Sequence, residues 1–228
     1  MTPPIRRVTW LPCWRIIPSR FPPIQLFERV TDPADLDAVL ALESLTNDRL
    51  RAEVGELDLI PLEDRLSGPG TSAIMTAFTH RNPDGSRFSD GTYGVYYAGN
   101  TLETAIAETR YHRQRFMQYT AESPMELDMR IYLADLDQDL HDIRGMRETL
   151  PYVYAETDYR FSQDLGRLLR EQGSWGIAYD SVRHEGGECV GIFRPPALSH
   201  CRQERHLCYV WDGQRISHIY QKSELQGP

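Results

Sequence analysis

The sequence predicts an α+β fold on a mainly antiparallel sheet. Three observations carry this expectation: short alternating apolar segments bounded by turn residues, helical apolar stripes between some of them, and no regular strand–helix–strand repeat. The 228 residues, 40% hydrophobic and 25% charged, are enough for a sizeable core without disulfides or metal. No internal repeat, low-complexity tract or long linker divides them. Residues 1–228 therefore read as one domain, with a helical elaboration at 33–66 and a hairpin at 200–228.

The first helix is expected from Pro33 to Glu53, capped by Asp32, with Leu36, Val39, Leu40, Leu45 and Leu50 along one face. Leu66 to Arg87 holds two turn clusters, Ser67-Gly68-Pro69-Gly70 and Asn82-Pro83-Asp84-Gly85, around a short apolar run, and reads as an exposed loop region. A strand at Gly94–Ala98 leads to Asn100, a good helix cap, with Glu103 placed to reach back as in a capping box. The helix that follows runs to about Tyr119, with Leu102, Ala105, Ile106, Thr109, Arg113 and Phe116 on one side. Glu108 lies just beyond the edge of that stripe, where a carboxylate can project into a cleft rather than bulk water. His112, one turn on, reads as an ordinary helix residue.

Met129, Ile131 and Leu133 alternate with Arg130 and Tyr132 as a strand, and Thr157 to Gln172 reads as a helix closed by Gly173. Strands at Trp175–Val182 and Cys189–Phe193 flank the loop Arg183-His184-Glu185-Gly186-Gly187. Leu207–Trp211 pairs with Arg215–Tyr220 around Asp212-Gly213, a type I′ turn signal.

Composition narrows the function. A net charge of −8 argues against direct nucleic-acid binding. Of the 25 basic residues only Lys222 is lysine. Genomic base composition accounts for such a bias, so each arginine must be argued singly. Cys13, Cys189, Cys201 and Cys208 form no C-x-x-C pair and are expected to be reduced. His200, Cys201, His206 and Cys208 match no structural zinc spacing, so no metal is expected and the group reads as a buried or edge-strand cluster. No apolar run is long enough to span a bilayer, and Arg and Pro interrupt the first twenty residues, so a cytoplasmic protein without membrane attachment is expected. Rossmann, P-loop, zincin and α/β-hydrolase motifs are absent.

The run Ser86 to Arg113, SRFSDGTYGVYYAGNTLETAIAETRYHR, has an Arg-aromatic pair, a Gly-containing turn, a Tyr-x-Ala strand and an E-T-A-x-x-E helix. It resembles the central signature of RES-domain proteins. Trp14-Arg15-Ile16-Ile17 resembles that family's opening element, Trp175 to Arg183 its late Gly-Ile strand ending in Ser-Val, and Gly187 to Arg194 the strand after it. The resemblance implies an ADP-ribosyltransferase-like fold with a split sheet flanked by helices, and the activity of a bacterial toxin that consumes NAD⁺. It places Arg15, Arg87, Tyr97, Glu108 and Ser181 at the family's functional positions, with Glu108, Arg87 and Tyr97 catalytic and Arg15, Arg87, Tyr97 and Ser181 binding NAD⁺. The eleven-residue interval to Glu108 favours Tyr97 over Tyr96. Arg20 and Arg29 share the first segment, so which of Arg15, Arg20 and Arg29 enters the site stays open. NAD⁺ is the implied substrate, with no separate cofactor, and an Xre-like DNA-binding antitoxin is the implied partner.

The chemistry agrees with that assignment. Splitting the nicotinamide–ribose bond develops positive charge on the sugar, which Glu108 can stabilise or whose ribose hydroxyl it can hold. The pyrophosphate needs donors of matching geometry, which Arg15 and Arg87 supply. Tyr97 offers a flat face for nicotinamide and a hydroxyl, and Ser181 one further hydrogen bond. The acceptor of ADP-ribose is water, phosphate or a protein side chain. No Glu-x-Glu pair is present, which favours NAD⁺ degradation over protein modification. The alternative is a catalytically inactive member that only engages its antitoxin.

Overall fold

The computed structural model describes residues 2–19 and 56–223. The helix expected at Pro33–Glu53 and the candidate Arg20 lie outside the described residues. Within them the elements are β1 (Ile5–Pro18), α1 (Thr71–Thr79), β2 (Tyr96–Gly99), α2 (Leu102–Tyr119), β3 (Met125–Asp142), α3 (Arg160–Glu171), β4 (Gly176–Asp180), β5 (Glu188–Ile192), β6 (Leu198–Trp211) and β7 (Ile216–Lys222). Short 3-10 turns at Leu57–Leu59 and Leu62–Asp64 put Leu57 and Ile60 into the core.

The seven strands form one sheet in the order β1-β2-β5-β4-β3-β6-β7, and β1 also pairs with β3. Five strands thus close on themselves, while β6 and β7 extend from β3. Every pairing is antiparallel except the short β3–β4 contact, so the structure is the α+β, mainly antiparallel architecture that the sequence predicts. β1 runs along β3 from Ile5 opposite His141 to Pro18 opposite Met129. The register shifts between Trp10 and Cys13, where Pro12, with no N–H for the ladder, is tolerated.

The segment expected as an exposed loop contains α1, with Ile74, Met75, Ala77 and Phe78 buried. Gly70, just before it, serves close approach rather than exposure. A Cβ on Gly70 would stand 1.9 Å from the Cys201 carbonyl oxygen, and its φ of +81° suits glycine.

The cap of α2 is also displaced from expectation. Thr101, not Asn100, accepts the Thr104 N–H, and the Asn100 side chain instead accepts from Glu188 N and Thr104 Oγ1. Thr104, Ala105 and Met117 are the buried residues of the helix, whereas Phe116 is 45% exposed. Ala105 and Met117 pack with Ile16, Met129, Ile131, Leu133 and Tyr209 from β1, β3 and β6. Each fully buried aliphatic side chain of this kind stabilises by roughly 1.5–3 kcal/mol. A hydrogen bond of 2.7 Å between Thr109 Oγ1 and the Tyr209 hydroxyl fixes the helix to β6.

At the end of α3, Gly173 takes φ +76° while its N–H and that of Ser174 bond back to Arg170 and Leu169 carbonyls, the expected glycine stop. The β6–β7 connection is a four-residue loop rather than the expected two-residue type I′ turn. Trp211 pairs with Ile216, and Asp212 Oδ1 accepts the N–H groups of Gln214 and Arg215. Along β6, Cys201 and Cys208 are buried and His200 faces outward beside Asp135. Among the described residues no helix is long and apolar enough to cross a membrane.

Candidate active site

A cavity of about 410 Å³ opens between β1, β2, α2 and the loop before β2. Its wall includes Trp14 and Arg15 from β1, Ser86 and Arg87 from the loop, Tyr97 from β2, and Glu108, Thr109, His112 and Arg113 from α2. Four residues singled out from sequence, Arg15, Arg87, Tyr97 and Glu108, therefore share one space.

Strand alternation explains the choice between the two tyrosines. Tyr96 points into the core and is fully buried, while Tyr97 faces the cavity. The Arg15 guanidinium lies 4.5 Å from the Tyr96 ring centroid and donates to the Tyr97 carbonyl at 3.0 Å. Arg87, 7% exposed, donates from Nη1 to the carbonyls of Val153 and Ala155, both at 3.0 Å, and lies 4.7 Å over the Tyr159 ring. Neither arginine has a carboxylate partner among the described residues. Two confined positive charges are thus left for something anionic.

The Ser181 hydroxyl donates to Glu108 Oε1 at 2.6 Å and accepts the N–H groups of Arg183 and His184 at 3.1 and 3.0 Å. In this structure the hydroxyl is turned to the acid, and Ser181 is not among the residues that line the cavity. Likewise the Tyr97 hydroxyl is engaged by Ser86 Oγ at 2.8 Å and by the Phe88 N–H at 2.9 Å, so its ring face, more than its oxygen, is what the cavity receives.

The family model described as RES domain matches residues 63–212, about two thirds of the chain. The chain belongs to the RES domain family. This RES domain protein is 31% identical over 207 residues to "Uncharacterized protein y4oC" of Sinorhizobium fredii (strain NBRC 101917 / NGR234), covering 91% of this chain and 86% of that protein. It is also similar to a chain in the crystal structure of the M. tuberculosis MbcT–MbcA toxin–antitoxin complex, at 12% identity and a TM-score of 0.46, with 86% of each chain covered. β1 and β7 lie outside the span matched to the family yet hydrogen-bond into the same sheet, so the RES domain cavity takes Arg15 from beyond that span.

Electrostatics divide the RES domain cavity into charged and neutral groups. Burial lowers the Arg15 pKa from its very high ordinary value, against the pull of Tyr96 and the nearby thiols, and the group stays cationic. Burial pushes the Tyr97 phenol up to about 12, so it keeps its proton. The Cys189 thiol, 3.8 Å from Glu108 Oε1, is raised well above its ordinary value by burial and then by that carboxylate. His112 stands in the cavity wall with Glu108 rather than on an ordinary helix face. Although the residue is solvent-exposed on the helix, the protein mass around its ring, aided by Arg183, Arg87 and Arg115 and opposed by Glu108, lowers its pKa to about 4. The ring is therefore neutral at neutral pH.

Sequence reasoning did not reach Tyr159, Asn82, Tyr179 or Cys189, which come to the cavity from separate segments. For His112 the signal was present in its four-residue spacing from Glu108. For Tyr159 there was none, because its place under Arg87 depends on where residues 153–159 cross the loop.

Proposed function

We propose that this protein is the toxin of a bacterial toxin–antitoxin pair and acts by cleaving the nicotinamide–ribose bond of NAD⁺. One observation supports this reading above the others: two confined guanidinium groups, without carboxylate partners among the described residues, share a cavity with a seated carboxylate. The arginines suit a pyrophosphate and the carboxylate suits a sugar that becomes cationic. NAD⁺ carries both groups a few bonds apart.

Arg15 and Arg87 hold the pyrophosphate with their remaining N–H donors, and the Tyr97 ring supports the nicotinamide. The C–N bond breaks with both electrons leaving on nicotinamide. Glu108, held by Ser181, stabilises the oxocarbenium-like ribose and fixes its orientation. The acceptor, whether water, phosphate or a protein side chain, adds to the sugar and releases its proton. NAD⁺ is consumed as substrate and no other cofactor enters. An Xre-like DNA-binding antitoxin is the partner in this reading, and the acidic toxin leaves operator binding to it.

The test is to incubate the purified protein with NAD⁺, with and without phosphate and cell extract, and to follow nicotinamide and the fate of ADP-ribose. The wild type is expected to release nicotinamide and Glu108→Gln to lose the release. A growth effect that survives Glu108→Gln, with no nicotinamide released by the wild type, would instead mark a binding module.

A further inference from the structure

The geometry points to Arg183 as a positioning residue that ties together the two halves of the site, the turn that orients Glu108 and the segment that cradles Arg87. Its kinetic consequence rests on the NAD⁺-cleaving reading above, while its structural consequence does not. The Arg183 N–H donates to Ser181 Oγ at 3.1 Å, and that same hydroxyl donates to Glu108. The side chain runs the other way. Nη2 donates to the Glu156 carbonyl, and Nη1 lies 3.5 Å from Glu156 Oε2. Glu156 directly follows Ala155, whose carbonyl holds Arg87 together with that of Val153, and Tyr159 under the Arg87 guanidinium is three residues on. On its flat face the Arg183 guanidinium carbon is 3.4 Å from the Tyr111 ring centroid, and Tyr111 lies between Glu108 and His112 on α2.

One residue thus joins the turn behind the acid through its backbone N–H, and the helix of the acid and the strap around Arg87 through its side chain. The Arg183 side chain is 9% exposed, and its Nε is buried with no hydrogen-bond partner among the described residues. An unsatisfied buried N–H is unfavourable, and an apolar side chain stacked on Tyr111 would avoid it. What an apolar side chain lacks is the planar fork that stacks on Tyr111 and donates to Glu156 at once. That combination explains why arginine stands here despite the unpaired nitrogen.

Full-length Arg183→Met and Arg183→Lys, compared with the wild type in two measurements, test this. In hydrogen–deuterium exchange, both variants are expected to exchange faster across residues 152–159 and 181–184 together, with the β3–β6 ladder unchanged. In steady-state NAD⁺ cleavage, Arg183→Met is expected to lower kcat about tenfold and to raise KM by about the same factor, because both Glu108 and Arg87 lose their setting. Arg183→Lys should fall between, since an ammonium keeps the charge but not the fork. Faster exchange confined to α2 around Tyr111, or a folded variant with wild-type kcat and KM, overturns the inference. Should Arg183→Met not fold, Arg183→Lys carries both measurements. A wild type that releases no nicotinamide sinks the reaction proposed above, and the exchange experiment then decides the role of Arg183 by itself.

Discussion

Replacing Ser181 by alanine removes a hydroxyl that serves three partners. Its bond to Glu108 Oε1 is short, at 2.6 Å, and goes to a carboxylate, a class worth about 1.5–3 kcal/mol. The N–H groups of Arg183 and His184 lose their acceptor in the same change. Ser181 is 3% exposed, so water does not readily take the place of the lost oxygen. A loss of about 2–3 kcal/mol is expected, equivalent to a melting temperature lower by about 4–12 °C for a chain of this size. The assay is urea unfolding followed by tryptophan fluorescence on Ser181→Ala, Glu108→Ala and the double variant. The pair should show a coupling of about 1–3 kcal/mol, and a coupling within about 0.5 kcal/mol of zero would refute the claim that the serine seats the acid.

Gly166→Ala is expected to unseat the site from behind. The new Cβ would lie 2.3 Å from the Phe88 carbonyl oxygen, forcing α3 away from the loop that carries Arg87; a loss of about 1–3 kcal/mol and weaker NAD⁺ binding should follow, by urea unfolding and titration calorimetry. Arg144→Met removes a two-pronged contact of 2.9 and 2.8 Å to Asp142, whose side chain is only 2% exposed, and a third of 2.7 Å to Glu188. A loss of about 3 kcal/mol is expected at neutral pH. Burial raises the Asp142 pKa but the Arg144 contacts outweigh it and hold it below its ordinary value, so this stabilisation is lost as pH falls and the gap between variant and wild type should narrow in acid. His112 has the opposite chemistry and the same slope. An unfolded histidine with pKa about 6.5 takes up a proton that folded His112, at about 4, refuses, so stability drops as pH falls through that window. His112→Gln should flatten this part of the acid slope, read as unfolding midpoints at about pH 7 and about pH 4.5.

Helix α2 was legible because its spacing is regular and a threonine or asparagine stands at its start. The same pattern put Glu108 at the edge of a buried face, where the cavity now lies. The β1–β3 ladder was far less legible. β3 is 18 residues long, with its register to β1 shifting between Trp10 and Cys13 and its register to β6 near Arg130 and Leu133, and only its central alternation from Met129 to Leu133 reads as a strand. α1 was hidden because Gly68, Pro69 and Gly70 look like loop chemistry, whereas Gly70 is there to let the Cys201 backbone approach. For the site, residue types and order identified Arg15, Arg87, Tyr97 and Glu108 among the residues that line the cavity, but not which atoms are already occupied. Whether a serine hydroxyl meets a ligand or a neighbouring carboxylate is decided by a rotamer, and no periodicity encodes it.

The wall that carries Arg15 has a timing of its own. Ile16 on β1 faces Ile131 on β3, a separation of 115 residues along the chain. At ribosomal speeds of about 5–20 residues per second, β1 waits roughly 6 to 23 s for the strand that will hold it. A growing polypeptide therefore carries Arg15 long before it owns a pocket to put it in, and whatever this cavity does begins only once that distant seam has zipped shut.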